Sequence, residues 1–169
     1  MKKTLTLFIT FFLLAGFIYS ETIGVVNTQK VINESIRGKQ AKTRLENFMK
    51  TKQKYINNLR SQIKSIEKSL NSPVLNQDAR EKKALELQGL KTKLKRYAED
   101  SQKEFQIKYN KEMQNMIKEI MPIIQDIGKT RDFKLILNHT PQAPIILYVD
   151  KTIDITNDVI KAYNSKYSK

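Results

Sequence analysis

The chain is 169 residues long, 28% charged, and carries a formal net charge of +14 from 31 basic and 17 acidic residues. One histidine and no cysteine exclude disulfides, thiolate metal sites and a lipidated N-terminal cysteine. So strong a basic excess points to acidic or anionic partners, with an attraction that weakens as salt rises.

Lys2 and Lys3 precede an apolar stretch from Leu5 to Ile18, interrupted by Thr6, Thr10 and Gly16 and closed by Tyr19-Ser20. This layout predicts a signal peptide over residues 1–20, cleaved near Ser20, because the apolar stretch is short for a membrane span and a polar chain follows. The mature protein is then expected in a compartment beyond the inner membrane. Thr22-Ile23-Gly24-Val25-Val26 reads as a short strand, followed by a short helix from Gln29 to Glu34.

Residues 39–131 read as a helical hairpin arm with its tip near 71–76. The ascending stripe is Leu45, Phe48, Lys52, Tyr55, Leu59, Ile63, Ile66 and Leu70, and the descending one runs from Leu87 through Tyr97, Ser101, Phe105, Tyr109 and Met116 to Ile127. Both repeat about every 3.6 residues, the free-helix period rather than the 3.5 of a supercoil, so a nearly straight antiparallel pair is expected. Pro73 ends the first helix, Asn71-Ser72 favour a turn, and Asn76 with Asp78 offers a cap and a favourable first-turn charge. Pro122 interrupts the descending stripe and should kink or split that helix near its base.

Two helices folded on each other have no third surface to bury against. The arm holds 22 basic and 11 acidic residues, so its charge is +11. Apolar residues also stand off the main stripes at Met49, Ile56, Ile107 and Ile117. Adaptable apolar contacts beside the basic patches Lys50-Lys52-Lys54 and Lys91-Lys93-Lys95-Arg96 make Met49, Ile56, Ile107 and those cations the expected contacts for a partner chain or anion.

Near the C-terminus, residues 133–138 and 145–149 read as two strands separated by a loop that Pro141 and Pro144 impose. The second is apolar throughout and wants cover on both faces. Residues 21–38 and 132–169 therefore form a small β body with open edges, which oligomerisation would close. Val25, Val26, Leu135, Leu137, Ile146 and Tyr148 are the expected assembly contacts. A helix from Asn157 to about Tyr163 ends the chain, with Thr156 as its cap.

Nothing in the chain reads as catalytic. His139 lies in a loop without a nucleophile beside it, and no Gly-rich phosphate loop occurs. Asp150, Asp154 and Asp158 fall at i, i+4, i+8, but on extended chain leading into a helix rather than on one helical face. Glu99, Asp100 and Glu104 sit among Lys95, Arg96 and Lys103, where i,i+4 pairing accounts for them. The reading is of a non-enzyme with no cofactor and no metal.

The segment Val25-Val26-Asn27-Thr28-Gln29-Lys30-Val31-Ile32-Asn33-Glu34-Ser35, followed by Gly38-Lys39, resembles the opening of the Skp/OmpH-like periplasmic chaperones, and Ile153 to Ile160 resembles their closing segment. Asn27, where Asp is common, and Pro122 depart from the family pattern. The resemblance implies an α+β fold in which long antiparallel hairpins project from a small β-barrel body formed by three subunits. It also implies a periplasmic homotrimer that holds unfolded outer-membrane proteins without ATP. Two other readings are an envelope coiled-coil adaptor and a polyanion-binding protein touching lipid headgroups or nucleic acid. An exported protein rarely meets DNA, which weighs against nucleic acid, whereas transient contact with an anionic membrane surface fits the basic arm.

Overall fold

The computed structural model describes residues 22–140 and 146–167, so the expected leader and Ile145 lie outside the described residues. In chain order come strand β1 (Thr22–Val26), helix α1 (Thr28–Glu34), helix α2 (Ile36–Leu70), helix α3 (Gln77–Thr130), strand β2 (Phe133–Asn138) and helix α4 (Thr156–Tyr167).

β1 and β2 pair in parallel, with Ile23 opposite Leu135 and Val25 opposite Leu137. Parallel strands cannot be joined by a tight turn and need a crossover connection. Here the whole hairpin serves as that crossover: the chain leaves the sheet after β1, runs out along α2, returns along α3 and re-enters as β2. At 1.5 Å per residue, the 35 residues of α2 reach about 50 Å from the body.

The expected strand over 145–149 is not formed in its described part, since 146–150 carry no regular structure. The second edge of β1 is taken instead by the segment just before α4. Val25 donates its N–H to the Ile153 carbonyl at 2.8 Å and accepts from the Ile155 N–H at 2.9 Å. That leaves 146–149 without a place beside β1. The last helix begins at Thr156, one residue before the expected start, and the Thr156 hydroxyl accepts from the Asn27 N–H across the body.

The core lies where α1, α4 and the base of the hairpin meet one face of the sheet. Val26, Val31, Ile32, Ala41, Met116, Ile120, Ile123, Ile124, Ile155, Val159 and Tyr163 form one buried cluster. Each fully buried aliphatic side chain contributes about 1.5–3 kcal/mol. Ser35 divides α1 from α2 and caps the latter, its hydroxyl accepting from the Gly38 N–H at 3.1 Å. Gly38 is required at this corner, because a Cβ there would stand 1.6 Å from the Ile32 carbonyl oxygen.

At the far end Asn76 caps α3 by accepting from the Ala79 N–H, while Arg80 reaches back to the Leu70 and Ser72 carbonyls and closes the turn. The helix is not split at Pro122: α3 runs through it as one element. The proline deprives the Lys118 carbonyl of its helical donor, but Lys118 is exposed and water can serve that oxygen.

Candidate binding surfaces

Alternation along the strands sends Gly24, Val26 and Ile136 toward the helices and Ile23, Val25, Leu135 and Leu137 to the opposite face. On that opposite face Ile23, Leu135 and Leu137 are exposed. Val25 shares the face but is buried, flanked by Leu137 on one side and by Asp154 on the other. Val26 belongs to the core. These two valines, expected as assembly contacts, are already covered within one chain. In the segment 146–149, Leu147 is 91% and Tyr148 79% exposed, while Ile146 is half-buried. Among the described residues, β2 has no partner on its outer edge.

A lock joins arm and body. Arg37 Nε of α2 and the Tyr163 hydroxyl of α4 both donate to Glu119 Oε2 of α3, each at 2.6 Å. Burial, then the adjoining Glu119 carboxylate, pushes the Tyr163 hydroxyl above its ordinary pKa, and Glu119 likewise holds Arg37 more firmly protonated. At the base of the arm opens a cleft of about 620 Å³, walled by Ile32, Leu45, Met49, Phe105, Tyr109 and Met113 and rimmed by Gln29, Asn33, Lys42 and Glu46.

Along the arm the predicted contacts separate into two groups. Met49 lines the cleft, Ile107 is 65% exposed, and Lys50, Lys54, Lys95 and Arg96 face solvent. Ile56 does not fit its expected role: it is buried on the hairpin, and its neighbour Tyr55 lies outward with its ring 4.5 Å from that of Tyr97. Lys52 is no free cation either. It bonds Glu104 across the hairpin at 2.7 Å and lies over the Phe48 and Tyr97 rings, and the Glu104 carboxylate lifts its pKa. Glu104 thus pairs across the helices rather than along its own. Lys91 is tied to Glu67, and Lys93 lies over Tyr55.

The three aspartates near the C-terminus have separate tasks. Asp150 accepts from the N–H and hydroxyl of Thr152, which hold its carboxyl below the usual range. Asp154 accepts from the Thr156 N–H, and Asp158 pairs with Arg131. His139 follows β2 directly and gives its N–H to the Val26 carbonyl.

The profile of the family described as outer membrane protein (OmpH-like) matches residues 22–163, from the first strand through most of the last helix. The chain belongs to the OmpH-like family. It is 32% identical over 150 residues to an uncharacterized protein of Aquifex aeolicus (strain VF5), covering 88% of this chain and 90% of that one. A crystal structure from Caulobacter crescentus CB15, described as a candidate OmpH-like outer membrane chaperone, superposes with a TM-score of 0.78 at 19% identity, over 87% of this chain and 86% of the other. The OmpH-like fold therefore unites the sheet, the cleft and the arm in one chain. The features that a sequence reading passed over in this OmpH-like protein are the lock, the cleft and Arg80. The lock and the cleft join residues far apart in sequence, whereas Arg80 acts within the turn, ten and eight residues from Leu70 and Ser72.

Proposed function

We propose that the protein is an ATP-independent holdase chaperone. In this reading it binds unfolded outer-membrane proteins in the periplasm, after the leader has been removed, and prevents their aggregation. The observation that carries the reading is a bare two-helix arm standing on a body whose second sheet face, Ile23, Leu135 and Leu137, is left open. An arm of this kind offers reach and contact, and an open apolar face beside an unpaired strand edge calls for other copies of the chain. Residues 21–38 and 132–169 act as the assembly body and 39–131 as the arm. Three copies would close β2 edges and the 146–149 segments into a small barrel, with Leu135, Leu137, Ile146 and Tyr148 at the joints.

Weak contact at many points suits a partner that must later leave without energy input. Exposed Lys50, Lys54, Lys95 and Arg96 attract acidic clients at long range, and apolar groups on the arm hold them. The decisive experiment dilutes a urea-unfolded outer-membrane barrel protein into buffer with the leaderless chain. Light scattering should fall as the chaperone approaches one trimer per client, and unchanged scattering would refute the proposal. Leu135→Asp with Leu137→Asp should lower the sedimenting mass to that of a single chain. A wild-type chain that sediments as a monomer with the same sheet face bare would remove the assembly half of the reading.

A further inference from the structure

Between Gln106 and Gln125 the long return helix carries five charged residues: Lys108, Lys111, Glu112, Lys118 and Glu119. At 100° per residue all five fall within about 120° of arc on one flank. The opposite flank has none, although more than a quarter of the chain is charged. It carries instead an i,i+4 ladder: Phe105, Tyr109, Met113, Ile117 and Met121. Each step advances about 40° around the helix, so the ladder leaves the hairpin seam at Phe105 and climbs onto the outer surface by Met121. Ile117 is 36% and Met121 46% exposed. Its first three rungs form one wall of the 620 Å³ cleft at the arm base.

The spacing of this ladder matches one kind of ligand. Successive rungs rise about 6 Å along the axis and are displaced sideways by the 40° turn, which makes the path between them slightly longer. Alternate side chains on one face of an extended strand are about 6.6–6.8 Å apart. Five rungs therefore meet five alternate side chains, which is a segment of about nine residues. A membrane-spanning β-strand of a barrel has about 9–11 residues with apolar side chains at every second position. Its lipid-facing side carries no charge, which complements the charge-free flank. Gln106, Asn110 and Gln114 run alongside the ladder and offer amides to a strand backbone, as they already do to each other where Gln106 donates to Asn110 at 2.9 Å.

We propose that this ladder is a docking track that reads alternating apolar residues in an extended chain, one unfolded transmembrane β-strand at a time. The proposal rests on the holdase reading and adds to it which side of the arm holds the client and which sequence pattern it selects. The lysines of the other flank then serve attraction from a distance and leave the track itself neutral.

The test uses the full leaderless chain and two ten-residue peptides of identical composition, one with apolar residues at every second position and one with the same residues grouped. The alternating peptide should bind at least about fivefold tighter, the scale of one well-placed apolar contact. Ile117→Gln and Met121→Gln should remove that preference, whereas Lys108→Gln and Lys118→Gln should keep it. Because the chain has no cysteine, a single polarity-sensitive dye can also be placed at Ile117→Cys or Lys118→Cys. Its emission should shift to the blue with the alternating peptide at the first position only, a reading that does not depend on the glutamine variants folding. Equal affinity for both peptides, or equal shifts at both positions, would overturn the track. So would a change of sedimenting mass in Ile117→Gln, which would make the flank a contact between copies. If wild type suppresses client aggregation and the glutamine variants do so equally, the track fails while the holdase reading stands.

Discussion

Gly38→Ala is the sharpest test of how the arm is fixed to the body. In an ordinary helix this change stabilises by up to about 1 kcal/mol. At Gly38 the new Cβ would meet the Ile32 carbonyl oxygen at 1.6 Å and its carbon at 2.7 Å, both backbone atoms, with the Ser35 hydroxyl at 3.0 Å. The oxygen would have to withdraw from 1.6 Å to the 3.4 Å at which ordinary contact begins, and Ile32 cannot yield alone because it and Val31 are buried in the core. Overpacking of this kind costs about 1–3 kcal/mol. The Ser35 cap, which depends on the same geometry, is worth about another 1 kcal/mol. The net loss should be about 3 kcal/mol. With an m-value near ~2 kcal/mol/M, the urea midpoint falls by about 1.5 M. Gly89→Ala supplies the control: nothing lies within 4 Å of its Cβ, so that variant should gain up to about 1 kcal/mol. Both should be measured at one protomer concentration, since assembly shifts apparent stability. If Gly38→Ala moves the midpoint in the same direction as Gly89→Ala, the tight corner between α1 and α2 is wrong.

Asp132 holds φ at 55° in the turn between α3 and β2, a conformation that costs a non-glycine residue about 1 kcal/mol, so Asp132→Gly should raise the thermal midpoint by a few degrees. Tyr163→Phe should cost about 1–2 kcal/mol by removing the hydroxyl bond to Glu119. The folded-state pKa of Tyr163 lies above the free value near 10, so its contribution is whole below about pH 10 and is lost as pH climbs toward the higher folded value. An alkaline urea series should therefore destabilise wild type more than Tyr163→Phe, and parallel curves would contradict the buried hydroxyl. Arg44→Glu sets two acids against each other across the arm and should lower stability by about 1 kcal/mol, while Arg44→Glu combined with Glu112→Arg should restore it.

Helical periodicity made the two arm helices readable, because a hairpin with only one mutual contact surface must keep its stripe in strict phase. Leu59, Ile63 and Ile66 are buried as that phase requires, and so are Ser101, Met116 and Ile120. The phase departs from expectation where Tyr55, placed in the seam, is 36% exposed and Ile56, placed outside it, is buried, and again at Tyr109, which is 39% exposed. The Tyr55 ring packs on that of Tyr97 from an exposed position, while the smaller Ile56 fills the interior. The stretch 146–149 misled for a different reason. Its apolar composition is real, but strand formation needs a partner edge, and the edge of β1 is taken by Ile153 and Ile155. Which segment wins an edge is decided by long-range geometry that composition does not carry. Val25 is covered on the same ground, whereas Val26 is covered by the helices on the other face of the sheet. Pro122 was overrated as a breaker: packing of Ile120, Ile123 and Ile124 into the core holds the helix through it.

The acidic residues of the arm account for how so slender a structure keeps one register. Four ion pairs cross from α2 to α3: Arg37–Glu119, Arg44–Glu112, Lys52–Glu104 and Glu67–Lys91. In the first three the residue numbers add to the same value, and the fourth differs by two. All four therefore describe one antiparallel alignment. Exposed pairs contribute little individually, about 0.2–1 kcal/mol, so they do not explain why the hairpin forms. They do favour this alignment, because sliding either helix by a turn would break all four at once. The acids that set the register are thereby neutralised. Most of the lysines and arginines left over face solvent, and the positive field of the arm follows from the same division of charge that aligns its helices.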